Sequence, residues 1–145
     1  MKMRFVVNPE LCTGCRTCEL ACSFTHSVGN NRSITRISPI DGGFPDLWVP
    51  VTCLQCEDAA CVKSCLVDAL RRNPETGAIE LNNEVCINCM ACVAACPFGC
   101  SIFDAQHEMV VKCDLCGGDP ACAHFCPTKA LEWKPIEENK KKTAV

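Results

Sequence analysis

Apolar residues in this chain come in short bursts and never in a sustained stripe, a pattern of brief strands rather than long helices. Arg4–Val7 reads as a first strand. Ile34–Ile40 and Leu47–Thr52 read as two more, with Pro50 confining the second to a sheet edge. Ala69–Arg72 and Ala78–Leu81 flank the turn-forming run Asn73-Pro74-Glu75-Thr76-Gly77, which predicts a hairpin. Ser101–Asp104 and Met109–Lys112 repeat that plan. Ala130–Lys134 supplies a last strand, placed to pair with Arg4–Val7. The one sizeable insertion, Thr25–Asp46, is polar and carries turn formers such as Gly29, Asn30, Gly42, Gly43 and Pro45. Glu137–Val145 is charged, contains Lys140-Lys141-Lys142, and reads as a solvated tail.

Cysteine punctuates these segments. There are 17 in 145 residues, about 12%, while aromatics make up 6% and tyrosine is absent. Sixteen fall into four sets: Cys12, Cys15, Cys18, Cys22; Cys53, Cys56, Cys61, Cys65; Cys86, Cys89, Cys92, Cys96; and Cys113, Cys116, Cys122, Cys126. The first and third read C-x2-C-x2-C-x3-C, the bacterial ferredoxin spacing for cubane clusters. The others keep both ends of that motif and widen its middle gap. All sixteen are expected to be metal ligands of four [4Fe-4S] clusters, which replace much of an apolar core. Short helices are expected to start at or near each fourth cysteine. The fold class is α+β: two pseudo-symmetric, bacterial-ferredoxin-like modules rich in clusters, with short helices and β-hairpins.

Two other uses of cysteine fit less well. A disulfide scaffold needs an oxidising compartment, but the count is odd. Met1–Asn8 also offers only Phe5-Val6-Val7 as an apolar run, so no export signal is expected and the location is cytoplasmic. A structural zinc protein that organises protein contacts would use paired C-x2-C halves, which leaves the third cysteine without a reason. The formal net charge is −3. Each oxidised cubane with its thiolates carries about −2, which would bring the loaded protein to roughly −11. That argues against nucleic acid and anionic membranes as partners, and none is expected. The mean hydropathy of +0.10 is inflated by cysteine. No apolar run approaches the ~20 residues of a spanning helix, so no membrane insertion is expected.

The C-x2-C-x2-C run curls the backbone around one cube and turns main-chain N–H groups towards sulfur, which tunes potential. Gly14 lets the first loop approach closely. In two-cluster ferredoxins the fourth cysteine, followed by proline, binds the neighbouring cluster. Cys96-Pro97 and Cys126-Pro127 carry that signature, whereas Cys22 precedes Ser23 and Cys65 precedes Leu66. Cys100 is read as a small buried residue at a strand start. His26, His107 and His124 lack a second histidine at helical spacing and are read as ordinary. Trp48 is assigned to the core; Trp133 fits core or interface. Lys112 is read as solvated, the alternative being a charge that raises a nearby potential. There is no C-x2-C-His for haem, no C-x3-C-x2-C for radical chemistry and no phosphate-cradling glycine loop. With cysteine at every cluster corner no iron is open to substrate. The expected role is electron transfer, not catalysis.

The stretches Val49–Cys61 (V-P-V-T-C-L-Q-C-E-D-A-A-C) and Cys113–Cys122 (C-D-L-C-G-G-D-P-A-C) resemble those of four-cluster iron–sulfur subunits of the dimethyl-sulfoxide-reductase beta type. Cys22-Ser23-Phe24-Thr25-His26 and Cys96-Pro97-Phe98-Gly99 fit as well, and the resemblance runs from Arg4 to Trp133. It implies a catalytic oxidoreductase subunit as partner, a tungsten or molybdenum pterin enzyme first and tungsten aldehyde oxidoreductase in particular, with a second redox subunit or carrier at the other end. Small members of the family also accompany carbon monoxide dehydrogenases, hydrogenases and formate-handling complexes. A free ferredoxin-like carrier and self-association into longer conduits are the other readings. The resemblance further implies a nested pairing: Cys12, Cys15, Cys18 and Cys126; Cys22, Cys113, Cys116 and Cys122; Cys53, Cys56, Cys61 and Cys96; Cys65, Cys86, Cys89 and Cys92. Spacing alone leaves a pairing of the first motif with the second open. Nesting gives one polyferredoxin domain over residues 1–136, with an outer module from 1–30 and 105–136, an inner module from 47–104, and the tail 137–145.

Overall fold

Eight short strands form four separate antiparallel pairs, and the ligand loops and helices lie between them. The structure, a computed structural model, describes residues 3–136, so the tail with Lys140–Lys142 lies outside the described residues. β1 (Met3–Val7) pairs with β8 (Leu131–Pro135) from Met3↔Pro135 to Val7↔Leu131, joining the two ends of the described chain. Phe5, Val7 and Trp133 from this pair cover a core that contains Ile37, Ala123, Ala130 and Leu131.

β2 (Ile37–Asp41) and β3 (Trp48–Thr52) form a hairpin in which Pro39 faces Pro50. The Gly42 N–H donates to Leu47 O at 2.8 Å, and the alternation of an antiparallel ladder then puts the two prolines at a non-hydrogen-bonded pair. Neither needs an N–H there, so the sheet tolerates both. The first strand begins three residues later than the Ile34–Ile40 expectation. The backbone N–H groups of Ile34 and Arg36 are engaged elsewhere, by Asp104 and Cys22.

β4 (Leu70–Arg72) pairs with β5 (Ile79–Leu81), and β6 (Ser101–Asp104) with β7 (Met109–Lys112). The first of these hairpins turns where Asn73 accepts the Glu75 N–H at 2.8 Å, an Asx turn of the kind its sequence predicts. Leu70, Ile79 and Val110 fill a second core with Ala59 and two cysteines. Each fully buried side chain of this size contributes about 1.5–3 kcal/mol. Two such small cores are thin support for a chain of this length, and they leave much of the stability to whatever the cysteines bind.

The helices correct the expectation. α1 (Thr17–Thr25), α2 (Ala60–Lys63), α3 (Ala91–Ala95) and α4 (Ala121–His124) each begin one residue before the third cysteine of a set, not at the fourth. Arg16 and Met90 take left-handed backbone (φ 62° and 63°) and turn the first and third loops into helix. Extended Ala59 and Pro120 do so in the others. α3 ends because Pro97 forbids helical backbone at Cys96, which is extended at φ −76°, ψ 112°. Ser23 imposes no such stop, and α1 runs on through Cys22. α1 packs on α4, and α2 on α3. Among the described residues no helix is long and apolar enough to cross a membrane.

Candidate metal centre

Three cavities each bring together four of the sixteen candidate ligands from distant parts of the sequence. One is walled by Cys12, Cys15, Cys18 and Cys126, a second by Cys22, Cys113, Cys116 and Cys122, and a third by Cys53, Cys56, Cys61 and Cys96. Of the remaining ligand candidates, Cys92 lies in α3 and is buried, Cys65 follows α2, Cys86 is half-buried and Cys89 is exposed.

Cysteines of different motifs lie close together. Burial, and after it the charges of Cys113, Cys22, Cys116 and Cys18, raise the Cys122 thiol above its usual range. Burial raises Cys113 to about 11, with Cys53 adding to it. Burial also raises Cys92, with contributions from Cys86 and Cys61. Cys18 and Cys122 share one core, Cys61 and Cys92 share the other, and the Lys112 ammonium bridges Cys53 to the Cys113 carbonyl. Thiols crowded in this way stay protonated unless a cation takes the proton's place, so binding of metal releases protons.

Backbone amides point at the sulfurs. The N–H groups of Ala69 and Cys100 donate to the sulfurs of Cys65 and Cys96, four residues earlier, at 3.2 and 3.3 Å. Helix α1 rules out that arrangement at Cys22, because the His26 N–H is spent on the Cys22 carbonyl. The insertion substitutes: the Arg36 N–H donates to Cys22 Sγ at 3.3 Å. The Arg36 side chain lines the same cavity, and its buried Nε and Nη1 have no protein partner. Orphaned cationic donors beside four thiols suit an anionic iron–sulfide group and would oppose a bare metal cation. The residues present fit the cofactor that the spacing implies.

Several residues hold the loops in place. The ring of Trp48 lies against Gly14, where an added Cβ would come within 2.5 Å of Trp48 Cδ2, and Gly14 has φ +69°. The close approach that Gly14 allows is thus to an indole. His26, at the end of α1, donates from Nε2 to Asp114 Oδ1 at 3.0 Å and from Nδ1 to the Cys22 carbonyl at 2.9 Å. The Asp114 carboxylate, followed by Cys22, raises His26 to about 10. Against burial, His26 and the Cys116 N–H hold Asp114 down at about 2. This pair ties the first motif to the fourth. Arg72 donates to the carbonyls of Gln55 and Cys56 and fastens the second ligand loop to the β4–β5 hairpin.

Two readings of single residues change. Lys112, expected to be solvated, is only 6% exposed, and its ammonium donates to Cys53 Sγ at 3.0 Å. β7 is buried on both faces from Val110 to Lys112, and Lys112 shares the face of Val110. Cys100 is buried at the start of β6, as the bland reading has it, but it also lines the third cavity. Arg36 and Gln55 give no signal in the sequence, because their partners lie far along it.

The family description "4Fe-4S dicluster domain" matches residues 46–135, and "4Fe-4S binding domain" matches residues 5–24. The polyferredoxin-like subunit of an aliphatic sulfonate oxidoreductase from Pyrococcus furiosus is 42% identical over 83% of this chain and 69% of its own length. The probable anaerobic dimethyl sulfoxide reductase component YnfG of Escherichia coli is 35% identical, covering 95% of this chain and 76% of its own. A component of the anaerobic dimethyl sulfoxide reductase of Haemophilus influenzae is also 35% identical, over 92% and 74%. The active site complex BamBC of benzoyl coenzyme A reductase shares the fold, with TM-score 0.51 at 22% identity over 95% of this chain and 82% of that one. Together with the sixteen cysteines in four sets, these matches support four [4Fe-4S] clusters. This protein belongs to the 4Fe-4S dicluster family of ferredoxin-type electron-transfer subunits, of the dimethyl-sulfoxide-reductase beta type, and its part in an oxidoreductase complex is electron transfer rather than catalysis.

Proposed function

We propose that this chain holds four [4Fe-4S] clusters in a row and connects the catalytic subunit of an oxidoreductase to a redox partner. Cys12, Cys15, Cys18 and Cys126 hold the first cluster; Cys22, Cys113, Cys116 and Cys122 the second; Cys53, Cys56, Cys61 and Cys96 the third; Cys65, Cys86, Cys89 and Cys92 the fourth. The single observation that carries this reading is that three cavities are each walled by four of these cysteines. The clusters supply one-electron transfer without bond making. The chain's own residues fix the sulfurs, exclude water through the two small cores, and aim N–H donors at the ligands. The first and fourth motifs form an outer module with β1–β8, and the second and third an inner one.

The catalytic partner is a tungsten or molybdenum pterin enzyme, with aldehyde oxidoreductase the specific choice. That step rests on the family resemblance. The relative named as a subunit of an aliphatic sulfonate oxidoreductase supports a fixed enzyme partner over a free carrier. Anaerobic purification from the source, with metal analysis of the fractions that co-elute, tests both levels. The expected result is a brown complex absorbing near ~400 nm through iron–thiolate charge transfer, with a stoichiometric second subunit that contains tungsten or molybdenum. A nickel enzyme in that place overturns the pterin partner. Elution alone overturns the subunit role, and a colourless zinc protein overturns both.

A further inference from the structure

Lys112 is the one lysine buried among the described residues, and no carboxylate there lies within ion-pair distance of it. A buried ammonium is costly unless an opposite charge faces it. What faces it is sulfur. Nζ donates to Cys53 Sγ at 3.0 Å and to the Cys113 carbonyl at 3.3 Å, and the side chain lines the cavity walled by Cys53, Cys56, Cys61 and Cys96. The same carbonyl of Cys113 is fixed from the other side. Gln55 Nε2 donates to it at 2.9 Å, while Gln55 Oε1 accepts the Ile79 N–H from β5 at 2.8 Å. The ammonium thus sits between the second and third cysteine quartets, on a carbonyl that a strand-anchored glutamine also holds in place.

We propose that Lys112 sets the reduction potential of the centre held by Cys53, Cys56, Cys61 and Cys96, and that Gln55 is the positioning residue that keeps its ammonium on Cys53. This rests on the reading of the protein as a cluster-bearing wire. Reduction adds one electron to that centre from an external donor; no bond breaks and nothing leaves. The added negative charge is stabilised by the adjacent cation in a water-poor interior, so Lys112 raises this potential relative to the same site without it.

The test is an EPR-monitored redox titration of the anaerobically loaded full-length protein, comparing wild type with K112M, K112Q, K112R, Q55L and the surface control K134M. In K112M the reduction equilibrium constant of one centre falls by about tenfold or more, about 59 mV for a one-electron couple, while the others keep theirs. K112Q shows the same loss without the apolar side chain and reads it if K112M fails to load. K112R stays close to wild type, Q55L shifts the same centre by less, and K134M shifts none. Unmoved potentials in loaded K112M or K112Q overturn the proposal. So does K112R falling as far as K112M, since packing rather than charge would then be at work. A wild type that titrates normally beside them leaves the proposed function standing, whereas a wild type without [4Fe-4S] signals removes that function and this inference together.

Discussion

The proposed outer and inner halves, the first and fourth motifs against the second and third, hold their cysteines by different means. In the inner half, β4–β5 and β6–β7 follow directly on ligand loops, and the fourth cysteine of each set takes its hydrogen bond from four residues downstream. In the outer half, Cys22 depends on Arg36 from the insertion, Gly14 on the ring of Trp48, and α1 on Asp114 across 88 positions. The sulfurs of Cys65 and Cys96 are served locally, whereas Cys22, Gly14 and α1 rely on contacts of longer range. Non-local contacts form later and cost more loop entropy, so the outer half is the one that distant substitutions should loosen.

Removing a ligand from each half gives the largest effect. Cys22→Ser and Cys65→Ser should each reduce iron by about one cluster of four; Cys22→Ser should also loosen the β1–β8 pair, seen as faster amide exchange there, whereas Cys65→Ser should leave that pair protected. Equal exchange in both variants would erase the distinction. Next comes Gly14→Ala. Its Cβ would meet the Trp48 ring at 2.5 Å in left-handed backbone, and overpacking of this kind costs about 1–3 kcal/mol. Denaturation should begin in the outer half, and Trp48→Ala on the same background should recover part of the loss.

His26→Gln removes a charge-assisted bond to Asp114, worth about 1.5–3 kcal/mol, and should show as a lower denaturation midpoint with all iron retained. The smallest effect belongs to the β6–β7 turn, which follows the third ligand loop. Although burial opposes it, the His107 ring and the N–H groups of His107, Ile34 and Gln106 hold Asp104 below the usual carboxylate range. A depressed carboxylate stabilises fully above its unfolded value of about 3.9 and loses that contribution as pH falls through the lower folded value. Asp104→Asn should therefore be less stable at neutral pH and show a flatter acid limb. An unchanged limb would mean that Asp104 is a spectator.

Much of this plan is legible in the sequence. The hairpins can be read because Asn73, Pro74 and Gly77 fix one turn chemically, and because the apolar bursts on either side match in length. The pairing of β1 with β8 can be read from two unpaired apolar ends. Spacing misplaces the helices because it locates the cysteines but not the backbone reversal before them, which Arg16 and Met90 adopt without being glycine or asparagine. Lys112 reads as solvated because a lysine beside a cysteine carries no mark of burial, and β7 is buried on both faces only through contacts made after folding. Arg36 and Gln55 act on partners that no local pattern links to them.

The central claim is that sixteen cysteines hold four cubanes. Iron and acid-labile sulfide analysis of the anaerobically purified protein, normalised by amino-acid analysis, tests it most directly. The account predicts about sixteen of each per molecule. About eight of each, or iron without matching sulfide, would contradict it.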